Sequence, residues 1–123
     1  MTVAVIVTTY NWPGALRLVL DSVKRQSRLP DELVVADDGS GEDTARVVEE
    51  VLGSSPLAWR HVRHEDRGIR QARVKNLGVR HAGSDYLIFV DHDVVLHPSF
   101  VEDHLGMARP GVFLQGKRSF LPE

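Results

Sequence analysis

Short apolar runs alternate along the chain with stretches in which apolar residues recur every three or four positions. The runs predict strands at Val3 to Val7, ELVVA (32–36), AWRHVRH (58–64) and DYLIFV (85–90). The helical spacing predicts helices over about residues 13–26, from Ser40 through about Leu52, and from about Ile69 to His81. The predicted order is therefore β-α-β-α-β-α-β.

Cap and turn residues set the expected boundaries of these elements. Asn11 is expected to cap the first helix, and Ser40 with Asp43 predicts an acidic variant of a capping box at the second. After the fourth strand, the sequence predicts a short helix near 98–106, a turn at 109–111 and a last strand near VFLQG (112–116).

Alternating strands and helices predict an α/β fold with three layers, α/β/α, around a mostly parallel sheet. In such sheets, ligands bind in the crevice beyond the carboxyl ends of the strands. Three of the predicted strands end in polar residues: TTYN after the first strand, DDGS after the second and DHD after the fourth. We predict that these side chains share one edge of the sheet.

Composition narrows the class of protein. A chain of 123 residues, 42% hydrophobic and 26% charged, fits a single globular domain, and a net charge of −2 argues against nucleic acid as the main partner. The absence of cysteine is consistent with a reducing compartment. The apolar run at the amino terminus is too short to span a bilayer, so we expect a cytoplasmic protein without an integral membrane segment.

The stretch DHD combines two carboxylates just past a buried strand. Asp91 and Asp93 would repel by roughly 4 kcal/mol if they lay about 4 Å apart at an effective dielectric near 20, and a divalent cation would relieve that repulsion. Hard oxygen ligands favour Mg²⁺ or Mn²⁺. The alternative explanation of a bare D-x-D pair is a solvated turn.

No glycine-rich phosphate loop is present, so phosphates of a nucleotide would have to be neutralised by a metal and by basic side chains. The segment RGIRQARVKN supplies such side chains, although they would also suit a solvated face: Arg67, Arg70, Arg73 and Lys75. Asn76 shares a helical face with Ala72 and Val79, where its amide needs a partner in a ligand or in the core.

The six histidines show no zinc-type spacing, and most are expected at the surface. His92 is the exception, because it lies between the two aspartates and could touch the ribose or diphosphate of a ligand. No nucleophile and base pairing is readable, so covalent catalysis has no support.

Taken in order, VTTYN, VVADDGS, GIRQARVKNLGVRHAGSDYLIFVDHDVVLHPSF and EDHLGMARPG resemble the amino-terminal half of a family 2 glycosyltransferase. That family has the GT-A fold with a Rossmann-like nucleotide-binding half. The resemblance covers nearly the whole chain and is most specific from Gly68 to Gly111. One departure is Lys75, which stands where the matching bacterial subgroup usually has arginine before the motif asparagine.

The resemblance implies a role for each motif. Thr8 and Tyr10 would line the nucleobase, uracil or another base, and Asp38 would accept a hydrogen bond from it with Asp37 alongside. This half of the site would therefore bind the nucleoside of a nucleotide-sugar donor.

The second half of the implied site would bind the ribose, the diphosphate and the metal. Asp91 and His92 would lie near the ribose and diphosphate, while Asp93 would bind Mn²⁺ or Mg²⁺ directly and Asp91 is the other candidate metal ligand. A role near the diphosphate or sugar is a weaker implication for three residues of the basic helix, Arg70, Lys75 and Asn76.

The implied reaction moves a sugar from a nucleotide-diphosphate donor to an acceptor hydroxyl, with inversion at the anomeric carbon. The expected donor is a UDP-sugar. The acceptor is an unknown saccharide or lipid, as in polysaccharide biosynthesis. The family's general base has no counterpart before Glu123, so we expect residues 1–123 to form one domain of a truncated enzyme. Alone, it would bind nucleotide weakly, transfer no sugar and self-associate through an exposed sheet edge.

Two alternatives remain open. The first is a non-catalytic module that binds a nucleotide sugar for a partner chain. The second is a phospho-acceptor receiver domain, which is also α/β, of similar length and rich in paired aspartates. In a receiver the acidic pair follows the first strand, whereas here the first strand ends in TTYN and the pair follows the second.

Overall fold

The computed structural model of the protein describes residues 1–68 and 70–116. Its elements are, in chain order, β1 (Val3–Thr9), α1 (Pro13–Lys24), β2 (Glu32–Asp37), α2 (Glu42–Leu52), β3 (Trp59–Arg63), α3 (Gln71–His81), β4 (Tyr86–Asp91) and α4 (Phe100–Met107). The predicted alternation is confirmed, and so is the short helix that follows the fourth strand. Observed helix ends lie within about two residues of the predicted ones.

The four strands form one sheet in the order β3-β2-β1-β4, and every neighbouring pair is parallel. β1 is central and buried along its whole length, as its β-branched run requires. Successive side chains point to opposite faces, so Val5 packs towards α1 and α2 while Ile6 packs towards Val74 of α3. The predicted three-layer α/β/α architecture is therefore confirmed.

The helix caps differ from the prediction. Trp12 occupies the N-cap of α1 and Gly41 that of α2, and neither helix has a side-chain cap. Instead, the Asn11 N–H donates to Ser40 Oγ, and the Gly41 N–H donates to Asn11 Oδ1, each over 2.9 Å. The two polar side chains satisfy backbone groups of each other's loop, which fixes the loops together and leaves neither side chain to cap its own helix.

The predicted last strand is wrong. The turn after α4 forms, with Val112 N donating to the Arg109 carbonyl over 3.2 Å, but residues 112–116 are not in a strand. They line an open cavity of about 610 Å³ beside β4, together with Phe89. Because a strand needs a neighbouring backbone for its hydrogen bonds, the cavity explains why this apolar segment stays irregular.

The amino ends of the strands are closed by carboxylates that accept backbone hydrogen bonds; we call this edge the amino rim. Val3 N donates to Asp31 over 2.8 Å and Thr2 N donates to Asp85 over 3.1 Å. The first of these bonds is the main reason that the pKa of Asp31 is lowered. Glu32 likewise accepts from Gly83 N at 3.0 Å.

Within the described ranges, every helix is too short or too polar to cross a membrane.

Close packing of α3 on the sheet depends on a glycine. A Cβ at Gly78 would lie 2.6 Å from Cγ2 of Ile6 and 3.4 Å from Cβ of Ala36. Ile6 is fully buried and β-branched, so its methyl group has little freedom to move aside. The helix can approach the sheet this closely only where a side chain is missing.

We expect Gly78→Val to lower the free energy of unfolding by about 2 kcal/mol, because the added methyl groups overpack the contact with Ile6. The matched control is Gly14→Val in α1, where a new Cβ would have no atom within 4 Å apart from its chain neighbours and the backbone of its own helix. That variant should change stability by less than about 0.5 kcal/mol. Urea unfolding of the three proteins measures both effects, and equal losses would contradict the packing argument.

Candidate functional site

Parallel register brings the polar strand ends to one edge, which we call the carboxyl rim. Thr8 pairs with Asp91, Thr9 pairs with Asp37, and Asp37 pairs with Arg63. Neighbouring strands lie about 4.8 Å apart, so paired residues are neighbours in two adjacent rows at this edge, and the side chains of the two rows point to opposite faces of the sheet. The rim comprises Thr8, Thr9, Asp37, Asp38, Asp91 and His92, and it joins the three polar stretches that the sequence pattern placed together.

Asp37 is the buried anchor of the loop after β2. Its side chain is 1% exposed, and its Oδ1 accepts from Gly39 N at 3.1 Å and Ser40 N at 2.8 Å. Its Oδ2 accepts from His61 Nε2 at 2.7 Å. Burial raises the pKa of Asp37, but the hydrogen bonds from His61 and Ser40 outweigh burial, so the pKa is lowered. Asp37 therefore holds the loop as a carboxylate.

Asp38 turns its carboxylate towards the segment that follows β3. Oδ2 accepts from Arg70 N at 3.0 Å, and Oδ1 accepts from His64 Nε2. The backbone N–H of Asp38 donates to Thr9 O over 3.0 Å, which ties it to β1. Each carboxylate oxygen has two lone pairs and so keeps capacity for a further hydrogen bond, although Asp38 is 4% exposed.

His92 is held by the loop after β1. Its Nδ1 lies 3.3 Å from Tyr10 N and 3.0 Å from Thr9 Oγ1, and the indole of Trp12 packs against its ring with centroids 5.4 Å apart. Because a backbone N–H can only donate, Nδ1 is the acceptor and the proton of the neutral ring lies on Nε2. His92 thus has a fixed ring orientation and a defined donor atom.

Tyr10 links the loop after β1 to the loop after β3. Its hydroxyl donates to Asp66 Oδ2 over 2.9 Å. This hydrogen bond is the main reason that the pKa of Tyr10 is raised, and burial adds to the effect. The phenol therefore stays protonated and remains a hydrogen-bond donor over the physiological pH range.

The aspartates of DHD lie at the end of β4. Asp91 Oδ1 accepts from Thr8 Oγ1 at 3.2 Å, and Asp93 is exposed two residues further on. Among residues 1–68 and 70–116, no three potential metal ligands cluster together. Two carboxylates are nevertheless a donor set that Mg²⁺ commonly uses, completing its shell with water and substrate phosphates.

The basic residues in and before α3 lie in two places, and of these residues Lys75 lines, together with Asp91 of DHD, the cavity beside β4. Arg67, Arg70 and Arg73 line a separate cleft beside the end of β3. Lys75 and Asn76 are exposed on α3, and the interpretation of Asn76 as an amide needing a partner in a packed seam is wrong. The face of α3 that packs on the sheet carries Val74 and Gly78, so the seam of Ala72, Asn76 and Val79 faces outward.

Sequence reasoning missed three residues of this region, His61, His64 and Asp66. The two histidines were expected at the surface, but their side chains are only 13% and 10% exposed and bind Asp37 and Asp38. Strand register could have indicated His61. It pairs with Val35, two residues before Asp37, so its side chain lies on the same face of the sheet as that of Asp37. His64 and Asp66 lie beyond the strand, where no periodicity constrains a side chain.

Comparison with known proteins identifies the family. The profile of Glycosyl transferase family 2 matches residues 4–114, so the chain belongs to that family. It is 32% identical over 103 residues to a hyaluronan synthase of Pasteurella multocida, covering 83% of this chain and 10% of the relative. It is 35% identical over 117 residues to a validoxylamine A glucosyltransferase of Streptomyces hygroscopicus subsp. limoneus, covering 90% and 25%.

Solved structures of glycosyltransferases share the fold. The mannosyltransferase PcManGT from Pyrobaculum calidifontis, in complex with GDP-Man and Mn²⁺, superposes with a TM-score of 0.78 and 30% identity over 89% of this chain and 33% of its own. TarS of S. aureus, in complex with UDP, gives a TM-score of 0.76 and 27% identity over 86% and 31%. The chain thus has the GT-A architecture and spans a third or less of the proteins named here.

Replacing Gly39 should disrupt the rim. Gly39 has φ 101°, and a Cβ there would lie 2.5 Å from the Cα and N of Asp66. Gly39→Ala is expected to lower the free energy of unfolding by more than about 2 kcal/mol, because backbone atoms cannot yield as a flexible side chain can. Gly68→Ala is the control, since Gly68 has φ 81° with open space around it and should cost only about 1 kcal/mol. Chemical unfolding that gives equal losses would refute the contact.

Acid should weaken the fold through Asp37. The lowered pKa means that its contribution to stability is present above about pH 4, the usual range of a free carboxyl, and is lost as the pH falls through the folded-state value. Asp37→Asn should therefore flatten the decline of unfolding free energy between neutral pH and about pH 3. Asp43→Asn, which removes an exposed carboxylate from α2, should leave the decline unchanged. Urea unfolding across this range tests both variants.

Proposed function

We propose that the carboxyl rim binds a nucleotide-diphospho-sugar and that residues 1–123 form the donor-binding part of a larger glycosyltransferase. The observation that carries the proposal is the convergence of acceptor side chains from β1, β2 and β4 at one rim in a family 2 member. Structural neighbours support it, since TarS was crystallised with UDP and UDP-GlcNAc and PcManGT with GDP-Man.

In the proposed complex the nucleobase lies between the loops after β1 and β2. Thr8 and Tyr10 line it, and Asp38 accepts a base N–H beside the protein donors that it already has. Asp37 supports the contact between Asp38 and the base, because its carboxylate binds backbone N–H groups of the turn that contains Asp38. A UDP-sugar is the first donor to test, and the GDP-Man complex of PcManGT makes a GDP-sugar the second.

The ribose and diphosphate are proposed to lie towards the end of β4. His92 can donate from Nε2, Asp91 lies beside it, and Asp93 would bind the Mn²⁺ or Mg²⁺ that accompanies the diphosphate. Such a cation would stabilise the negative charge of the departing nucleoside diphosphate. The proposed contact of Arg70, Lys75 and Asn76 with the diphosphate or sugar comes from the resemblance. Lys75 also lines a cavity together with Asp91, and the Arg70 N–H donates to Asp38.

The proposed reaction is a direct displacement with inversion. An acceptor hydroxyl of a saccharide or lipid attacks the anomeric carbon, the bond to the diphosphate oxygen breaks, and a general base removes the hydroxyl proton. We place that base beyond Glu123, so residues 1–123 alone should bind a donor without transferring its sugar. A role in polysaccharide biosynthesis and a cytoplasmic location remain predictions made from the sequence.

A non-catalytic nucleotide-sugar-binding module is the second candidate. The observation in its favour is that the chain spans only 10% and 25% of its two named relatives. The receiver-domain alternative loses its basis, because the chain belongs to family 2 and its acidic pair follows β2. Self-association through the β4 edge stays a prediction, supported by Phe89 and Phe113, which are 45% and 85% exposed.

Calorimetric titration with UDP, GDP and their sugars, with and without Mn²⁺, tests the proposal. We expect one nucleoside diphosphate to bind at least about tenfold more tightly with Mn²⁺, and Asp93→Ala to abolish that gain because it removes the proposed metal ligand. Asp38→Asn should weaken binding with and without the metal, because its amide nitrogen would face the base N–H.

Asp103→Ala provides the matched control, since Asp103 is an exposed acid of α4 away from the rim. It should bind nucleotide and Mn²⁺ as the unmodified protein does. Absence of binding by every nucleotide, with and without metal, would reject both the donor-site proposal and the binding-module alternative.

A further inference from the structure

Two polar side chains at the end of α1 are buried against the segment that follows DHD. They belong to Ser22, inside the helix, and Gln26, just past its last residue. The Leu96 N–H donates to Ser22 Oγ over 3.1 Å. Gln26 Nε2 donates to the His97 carbonyl over 2.8 Å, and Gln26 Oε1 accepts from the Val101 N–H at 2.9 Å. We call Ser22 and Gln26 the α1 clamp.

The α1 clamp satisfies backbone groups that the segment after DHD does not satisfy itself. α4 has no side-chain cap of its own, and Gln26 replaces that cap by accepting the Val101 N–H in the first turn of the helix. Leu96 is buried, so its N–H needs an acceptor within the protein. The backbone adds a further bond, because the Ser27 N–H donates to the Pro98 carbonyl over 2.8 Å. The end of α1 therefore fixes the path of this segment.

The proposed metal ligand Asp93 lies on a short link between two fixed points, residues 92–95. At one end of the link, Asp91 is paired with Thr8 in the sheet. At the other end, the α1 clamp binds the Leu96 N–H. A chain this short has few conformations when both of its ends are fixed, so the backbone that carries the Asp93 carboxylate is already ordered before a ligand binds.

We propose that Ser22 and Gln26 are positioning residues for the divalent cation, and that they act by fixing the link on which Asp93 lies. The inference rests on the proposed donor site and adds to it two residues that contact neither the metal nor the nucleotide. Ordering the link costs free energy, and the α1 clamp removes that cost from the binding step. His92 is held separately by the loop after β1, so binding of nucleotide without metal should not depend on the clamp.

Calorimetric titration with UDP and GDP, with and without Mn²⁺, tests the inference through the factor by which Mn²⁺ tightens binding. Ser22→Ala removes the acceptor of the Leu96 N–H. We expect it to reduce that factor by at least about threefold and to change the affinity without metal by less than about twofold. Ser22→Thr keeps the hydroxyl, and Ser22 lines a cavity of about 220 Å³ that can take the added methyl group. That variant should retain the full effect of Mn²⁺.

Gln26→Met is the second variant, since it keeps an unbranched side chain and removes both polar groups. It should reduce the effect of Mn²⁺ at least as much as Ser22→Ala, which decides the test if Gln26→Met does not fold. Val48→Ala is the control for lost stability, because Val48 is buried in α2, a helix that contributes nothing to the α1 clamp or the link. It should retain the full effect of Mn²⁺.

Retention of the full effect of Mn²⁺ by Ser22→Ala or by a folded Gln26→Met overturns the inference. So does an equal reduction in Val48→Ala or Ser22→Thr, because the effect would then follow stability or packing. Equal weakening with and without metal overturns it too, since the clamp would then act on the whole site. Asp93→Ala separates the two proposals. If it abolishes the effect of Mn²⁺ while the clamp variants retain it, the inference alone fails; if Mn²⁺ has no effect on the unmodified protein, the proposed metal site fails and the inference with it.

Discussion

In-register parallel pairing is the constraint on which the rest of the structure depends. β1 is paired on both sides, so its polar end at Thr8 and Thr9 lies beside those of β2 and β4 at the same edge of the sheet. Carboxylates gathered there must be hydrogen-bonded to remain charged, and Asp37 meets this requirement through backbone N–H groups and His61. The chemistry of the rim therefore follows from the topology of the sheet, with side chains supplying the local detail.

The loops that carry the rim are joined to one another, which makes the site preorganised. Asn11 connects the loops after β1 and β2, Tyr10 reaches Asp66 in the loop after β3, and Gly39 lies directly against that residue. Three loops from separate strands thus share contacts and would have to move together. A ligand that contacts one loop is presented with the other two already in place.

The sequence predicted the strands and helices well, because their periodic apolar residues are buried. It predicted side-chain hydrogen bonds less well, because a polar side chain can have several possible partners. The β-branched run at Val3 to Val7 can be satisfied only in a buried strand, and the α/β order follows from such runs. Asn11 can bond either to its own helix or to the neighbouring loop, and local pattern cannot choose between these partners. The burial of His64 depends on a loop path that no periodicity encodes.

The two ends of the sheet differ in how their polar groups are used. At the amino rim, Asp31, Glu32 and Asp85 accept hydrogen bonds from nearby backbone N–H groups, whereas at the opposite edge Tyr10 and Asp93 are exposed. Met1 is 64% exposed and lies two residues before β1, on the closed side. Immobilising the protein on a sensor surface through its first residue would consequently leave the carboxyl rim facing the bulk solution.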